Sequence, residues 1–144
     1  MATTGNVLFL CTGNSARSIL AEAILNSLGR GRFCAFSAGS HPKDEVHPSA
    51  IALLKRKGYE VDGLRAKSWE EFAVPGGPPF DYVITVCNNA AAEDAPQFSG
   101  KATRAHWDIP DPPAAMDVPA AFERAYSMLL AHIGTLLFGS RSRL

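Results

Sequence analysis

Residues Val7 to Ser18, VLFLCTGNSARS, constrain this chain more than any other stretch. An apolar run stops at Cys11, and Arg17 opens a helix-like sequence. That order calls for a strand, a tight loop and a helix N-terminus. Such a loop aims several backbone N–H groups at one oxyanion, and the helix dipole adds positive potential. Gly13 and Asn14 both tolerate the left-handed backbone that a tight loop needs. A thiol at the first position sits where its thiolate is favoured, and cysteine pKa values fall from about 8.5 to roughly 3.5–7.5 in such surroundings. Cys11 therefore reads as a nucleophile. Thr12, Gly13, Asn14, Ser15, Ala16, Arg17 and Ser18 form the expected oxyanion cradle. Within it Arg17 forks onto two ligand oxygens, Ser18 hydrogen-bonds the Cys11 sulfur, and Asn14 braces the loop. The plain alternative is a buried strand-end cysteine beside a solvated arginine.

The rest of the chain supplies a scaffold for that loop. Asn6 to Leu10 is the near-continuous apolar run of a strand covered on both faces. After Arg17, residues Ile19, Leu20, Ala23, Ile24, Ser27 and Leu28 recur at helical spacing, and Gly29 ends the segment. Phe33 to Ser37 predicts a second strand. Pro48 suits the first position of another helix, with Ile51 and Leu54 inward and Gly58 at its end. Val61 to Leu64 reads as a short strand, and Ser68 to Phe72 as a helical turn. Tyr82 to Val86 is a clear strand ending at Cys87, and Thr103 to Trp107 an edge strand. A final helix opens at Pro119, with Phe122, Tyr126, Leu129, Leu130, Ile133, Leu136 and Leu137 on one core-facing stripe. Alternating strands and helices without a linker predict one domain over 1–144: an α/β three-layer sandwich, with a parallel sheet flanked by helices. In such sheets ligands bind beyond the carboxyl ends of the strands, where Cys11 and Cys87 both fall.

Composition narrows the function classes. Lys plus Arg and Asp plus Glu number 14 each, which gives no basic surplus for nucleic acid. No apolar run is long enough to span a membrane, and the N-terminus lacks the basic region of a secretory signal, so the expected location is cytoplasmic. Three cysteines, Cys11, Cys34 and Cys87, are too few and too far apart for a zinc ribbon or a disulfide framework. His41, His47, His106 and His132 show no metal-ligand spacing, so no metal is expected from them. Cys34, inside a strand, reads as a small buried hydrophobe. Displacing an oxygen needs a proton donor, and Asp108 and Asp111 are the candidates, Asp111 being stiffened by Pro110 and Pro112. Cys87 discriminates between reactions. Hydrolysis needs one thiol, whereas reduction needs a second to take electrons from the first.

Taken together, CTGNSARS with Ala21-Glu22-Ala23, then Ser37-Ala38-Gly39, Val83 to Cys87, His106-Trp107 and Asp111-Pro112, resembles the arsenate reductases built on the low-molecular-weight protein tyrosine phosphatase fold. The resemblance runs from about Val7 to Phe138, in family order. It implies a four-stranded parallel sheet, Cys11 as nucleophile, Arg17 as oxyanion clamp, Asp111 as proton donor and arsenate as substrate. It also implies that Cys87 attacks the Cys11 sulfur, leaving a Cys11–Cys87 disulfide as arsenite departs. Some relatives bind potassium through positions matching Asn14, Glu22 and Ser37; Trp69 stands at a further ligand position. Relatives usually carry another cysteine just before a proline, where this chain has Ala95-Pro96, and some carry one where this chain has Ala16. The relay that passes a disulfide outward to that last cysteine for thioredoxin is therefore absent. Electrons then come from glutaredoxin or thioredoxin acting directly on the disulfide, or from glutathione acting on the arsenic adduct. Two rivals remain at this point: a low-molecular-weight protein tyrosine phosphatase with Cys87 idle, and a non-enzymatic oxyanion-binding or redox-sensing module. Proline on both sides of Asp111, in place of an aromatic residue, speaks against the phosphatase.

Overall fold

Strand β1 (Gly5–Leu10) is the spine of the molecule, as its unbroken apolar run requires: Val7, Leu8 and Phe9 are fully buried. The computed structural model describes residues 5–87, 95–112 and 116–142. β1 pairs in parallel with β2 (Phe33–Ala38) on one side and β3 (Tyr82–Thr85) on the other, and β4 (Thr103–His106) closes the far edge, giving the order β2-β1-β3-β4. The register aligns the carboxyl ends: Leu10 lies opposite Ala38 and Thr85, and Thr85 opposite His106. Everything that follows these four residues starts from one sheet edge.

Among the described residues, three helices complete the frame: α1 (Arg17–Leu28), α2 (Pro48–Arg56) and α3 (Val118–Ser142). Helix α1 packs against β1, β2 and α3 through Ile19, Leu20, Ala21, Ile24 and Leu25. Ser27 and Leu28, which share the helical spacing, are exposed, because the buried row passes through Leu25 and leaves the last turn outside it. In α2 the His47 ring accepts the Ser49 N–H at 3.0 Å, Pro48 begins the helix, and Ala50, Leu53 and Leu54 are buried, with Ile51 only partly so. Gly58, at φ 87°, then takes the left-handed turn that lets Tyr59 N–H reach the Leu54 carbonyl. On α3, Phe122, Leu129 and Ile133 are buried, and Tyr126, Leu130, Leu136 and Leu137 pack against the same core.

Side chains alternate across a strand, so Phe36 of β2 points away from Ser37, whose hydroxyl meets Glu22 of α1. Phe36 joins Phe72, Phe80 and Phe98 in edge-to-face contacts that cover this second face of the sheet. The short 3₁₀ turn Trp69–Phe72 contributes to that layer. Two expectations fail. Residues 61–64 form a turn closed by Leu64 N–H to the Val61 carbonyl, not a strand, because Asp62-Gly63 takes φ 89° at the glycine. Cys34 is exposed, since β2 is an edge strand and only Phe33 and Ala35 of its first three residues reach the core.

Candidate active site

The loop Cys11–Ala16 leaves the carboxyl end of β1 and runs into α1. Its first link to the frame is Cys11 N–H to the Ala38 carbonyl at 3.3 Å. Three of its carbonyls then turn outward: Thr12 accepts from His41 N–H, Gly13 from Lys43 N–H and Ser15 from His47 N–H, each at 2.9 Å. No peptide here is cis, so each outward carbonyl sends the next N–H the opposite way. The N–H groups of Gly13, Asn14 and Ala16 therefore face inward. The inner side is a cavity of about 210 Å³ lined by Cys11, Thr12, Gly13, Ser15, Ala16, Arg17, His41, Lys43 and Asp111. Ala16 stands at the N-cap of α1 without a side-chain cap, so the first-turn N–H groups and the dipole are left for an anion.

Two residues set the curvature of this loop. Asn14, at φ 45°, is the only non-glycine residue with positive φ among the described residues. Its buried side chain donates to Ser18 Oγ at 2.8 Å and accepts the Lys67 N–H at 2.9 Å. Gly39 lets β2 pass close beneath: a Cβ there would lie 2.4 Å from the Thr12 carbonyl oxygen and 2.6 Å from that of Cys11.

Cys11 is buried with its sulfur 2.8 Å from Ser18 Oγ. Burial pushes this thiol up from its ordinary value, against the opposing pull of the Ser18 hydroxyl and N–H and of Arg17; the neighbouring Cys87 adds to the rise. The expected ready-made thiolate is thus opposed by burial. The sequence displays the donors, but not the exclusion of water that outweighs them. Arg17 donates through Nη1 to the Ile109 carbonyl at 2.9 Å and lies 3.4 Å from Asp111 Oδ1 through Nη2. Asp111 joins the cavity wall, with its side chain about half exposed (49%), whereas Asp108 lies outside it. Cys87, one residue beyond the Val86 N–H bond to the Leu10 carbonyl, is also buried, and its sulfur accepts the Thr12 N–H at 3.4 Å. Both thiols therefore border the same first peptide of the loop.

Residues 6–142 match the low molecular weight phosphotyrosine protein phosphatase family. This chain belongs to that family. It is 30% identical, over 106 residues covering 74% of this chain and 77% of the relative, to the glutaredoxin arsenate reductase of Synechocystis sp.. A solved arsenate reductase in the phosphate binding state superimposes with a TM-score of 0.77 at 25% identity, covering 94% of this chain and 98% of that one. The low molecular weight protein tyrosine phosphatase of T. tengcongensis superimposes with a TM-score of 0.75 at 26% identity, covering 94% and 99%. The family fold thus serves proteins of both names, and the side chains must separate them.

Three features of this phosphatase-family site escape a reading of the sequence alone. His41 and Lys43 line the cavity because their N–H groups bolt the loop carbonyls, a pairing no local motif announces. Lys67 is the third. Its ammonium lies 2.9 Å from the Ser37 carbonyl oxygen, 3.4 Å from Ser37 Oγ, 3.5 Å from Asn14 Oδ1 and 3.8 Å from Glu22 Oε1. Those are the three residues at which the resemblance implies potassium. With an ammonium among their oxygens they do not fit a second cation. Trp69 lies in the apolar core and donates its backbone N–H to the Gly39 carbonyl. No helix among the described residues is long and apolar enough to cross a membrane.

Proposed function

We propose that this chain is an arsenate reductase acting through Cys11, with Cys87 as the resolving thiol and Asp111 as proton donor. The observation that carries the reading is Cys87: a second buried sulfur at the Thr12 N–H has no task in hydrolysis. The arsenate reductase names among its relatives support the same choice.

In this reading the inward N–H groups and Arg17 hold three arsenate oxygens, as they would those of phosphate. Cys11 releases its proton to solvent as the oxyanion binds, and its sulfur attacks arsenic. An arsenic–sulfur bond forms, one arsenic–oxygen bond breaks, and Asp111 protonates the departing hydroxyl, which leaves as water. The Cys87 thiolate then attacks Cys11 Sγ. A sulfur–sulfur bond forms, the sulfur–arsenic pair stays on arsenic, and arsenic(V) departs as arsenite, arsenic(III), while two thiols are oxidised. A dithiol protein of the glutaredoxin or thioredoxin kind returns the disulfide to thiols; glutathione acts instead on the arsenic adduct, in place of Cys87. With Ala95 before Pro96, no cysteine follows Cys87 to carry the disulfide outward.

The test is arsenate turnover measured in parallel with thioredoxin, with glutaredoxin plus glutathione and, as a separate arm, p-nitrophenyl phosphate hydrolysis. Arsenate-dependent donor oxidation is expected, and Cys87→Ser should abolish it while sparing any hydrolysis. Parental reduction by Cys87→Ser with glutathione would assign resolution to the small thiol. Hydrolysis without reduction by any donor would make the chain a phosphatase, the second reading, which its likeness to the T. tengcongensis enzyme supports. Turnover of neither kind would leave an oxyanion-binding module.

A further inference from the structure

We propose that Lys67 is a tethered cation that takes the place of a monovalent ion behind the loop and holds Asn14 and Ser18 in register with Cys11, making the site independent of potassium. The proposal concerns the loop's shape and does not rest on arsenate being the substrate.

The Lys67 side chain is 8% exposed and that of Glu22 16%, so neither charge is shed to water. Around the ammonium converge oxygens from three elements: Glu22 of α1, Ser37 at the end of β2 and Asn14 of the loop. Glu22 is itself occupied by the Ser37 hydroxyl at 2.5 Å. Removing the cation would leave a carboxylate, a carbonyl and two further oxygens facing one another in a dry space, which is costly. Burial pulls the lysine down and the glutamate up from their ordinary values, and each is opposed by its charged partner, as expected of a buried pair.

The same residue is wired to the nucleophile. Lys67 grips Asn14 Oδ1 twice, through its backbone N–H at 2.9 Å and its ammonium at 3.5 Å. With that oxygen fixed, the Asn14 amide nitrogen must point to Ser18 Oγ, and Ser18 Oγ to Cys11 Sγ, both at 2.8 Å. The backbone of Lys67 is anchored as well, since its carbonyl accepts the Gly39 N–H at 2.9 Å. Lys67 thus reaches Cys11 only through two other side chains, as a positioning residue. Glu22 also lines a separate cleft of about 430 Å³ beside α1, a route by which small cations can enter if the ammonium is removed.

The experiment reads two quantities in potassium, sodium and choline chloride at equal ionic strength: thermal melting, and protection of Cys11 from iodoacetamide by inorganic phosphate. The parent protein should give the same values in all three salts. Lys67→Ala opens the oxygen cage; in choline its phosphate affinity should drop by about tenfold, the scale of lost supporting contacts around a site. Potassium or ammonium ions should restore it. Lys67→Gln fills the space without charge and should show the loss without the rescue. Potassium dependence in the parent overturns the proposal, as does unchanged phosphate affinity of Lys67→Ala or Lys67→Gln in choline. If Lys67→Ala folds only with potassium, the proposal stands; if it folds in no salt, Lys67→Gln decides.

Discussion

The two sides of the Cys11–Ala16 loop solve opposite electrostatic problems. The cavity side gathers more donors than acceptors: inward N–H groups, an uncapped helix start and the Arg17 guanidinium, 16% exposed, which spends only part of its fork on the Ile109 carbonyl and Asp111. The rear side is closed, with Asn14, Ser18, Ser37, Glu22 and Lys67 satisfying one another. An unsatisfied donor costs little where water reaches it and much where it does not. The rear is therefore built as a finished network that fixes backbone shape, and the front is left unfinished so that an anion completes it. Rigidity behind and deficit in front together make a preorganised oxyanion site.

The largest expected effect tests that division directly. Cys11→Ser should abolish both arsenate reduction and phosphoester hydrolysis, because a hydroxyl in that surrounding is not a nucleophile at neutral pH. Phosphate binding should survive, since the rear network touches Cys11 only through Ser18. A calorimetric titration with phosphate checks this, and loss of binding along with turnover would show that front and rear are not separable. Next in size is Asp111→Asn, expected to slow the first chemical step by about 10²–10⁴-fold, the range for a lost general acid. Rapid-quench measurement of that step checks it, and an effect below about tenfold would hand the proton to Asp108 or to water.

A subtler effect concerns the Cys11 thiol. Burial lifts it, so the neutral form favours the fold; that contribution is complete below the unfolded thiol's value and is lost as pH rises towards the folded one. Iodoacetamide labelling of Cys11, followed by peptide mass, should therefore show a higher pH midpoint in the native protein than in urea. A lower native midpoint would mean that the front donors already outweigh burial before any anion arrives.

The same front-to-rear contrast governs what the sequence reveals. β1, the loop and the start of α1 are contiguous, and each carries its own local signature: an apolar run, left-handed-tolerant residues and helical periodicity. Cys11, Arg17 and the sheet-end position of Cys87 follow from those signatures. Lys67 does not, because it meets Asn14 across 53 residues and nothing in its neighbours marks a lysine for burial. The burial that opposes the Cys11 thiolate is hidden for a related reason, since donors are visible in a string of letters and desolvation is not. In residues 61–64 the turn-forming Asp62-Gly63 pair prevails over the β-favouring Val61.

Cys34 carries the smallest expected effect and the cleanest check on the choice of second thiol. FCAFS is apolar at both parities, so periodicity cannot say which face of β2 is outward, and the structure puts Cys34 on the exposed one. Cys11 and Cys87 meet at one loop peptide beyond the sheet's carboxyl end, whereas Cys34 lies near the opposite end of β2, where it pairs with Asn6. A thiol there is easier to oxidise by solvent reagents but is badly placed to attack the Cys11 sulfur. Cys34→Ser should change stability by less than about 0.5 kcal/mol, as expected for an exposed site. It should leave arsenate turnover unchanged, measured by melting and by donor oxidation side by side. If it instead removes reduction while Cys87→Ser does not, the electron pair comes from the outer edge of the sheet, and the buried sulfur beside Thr12 is only packing.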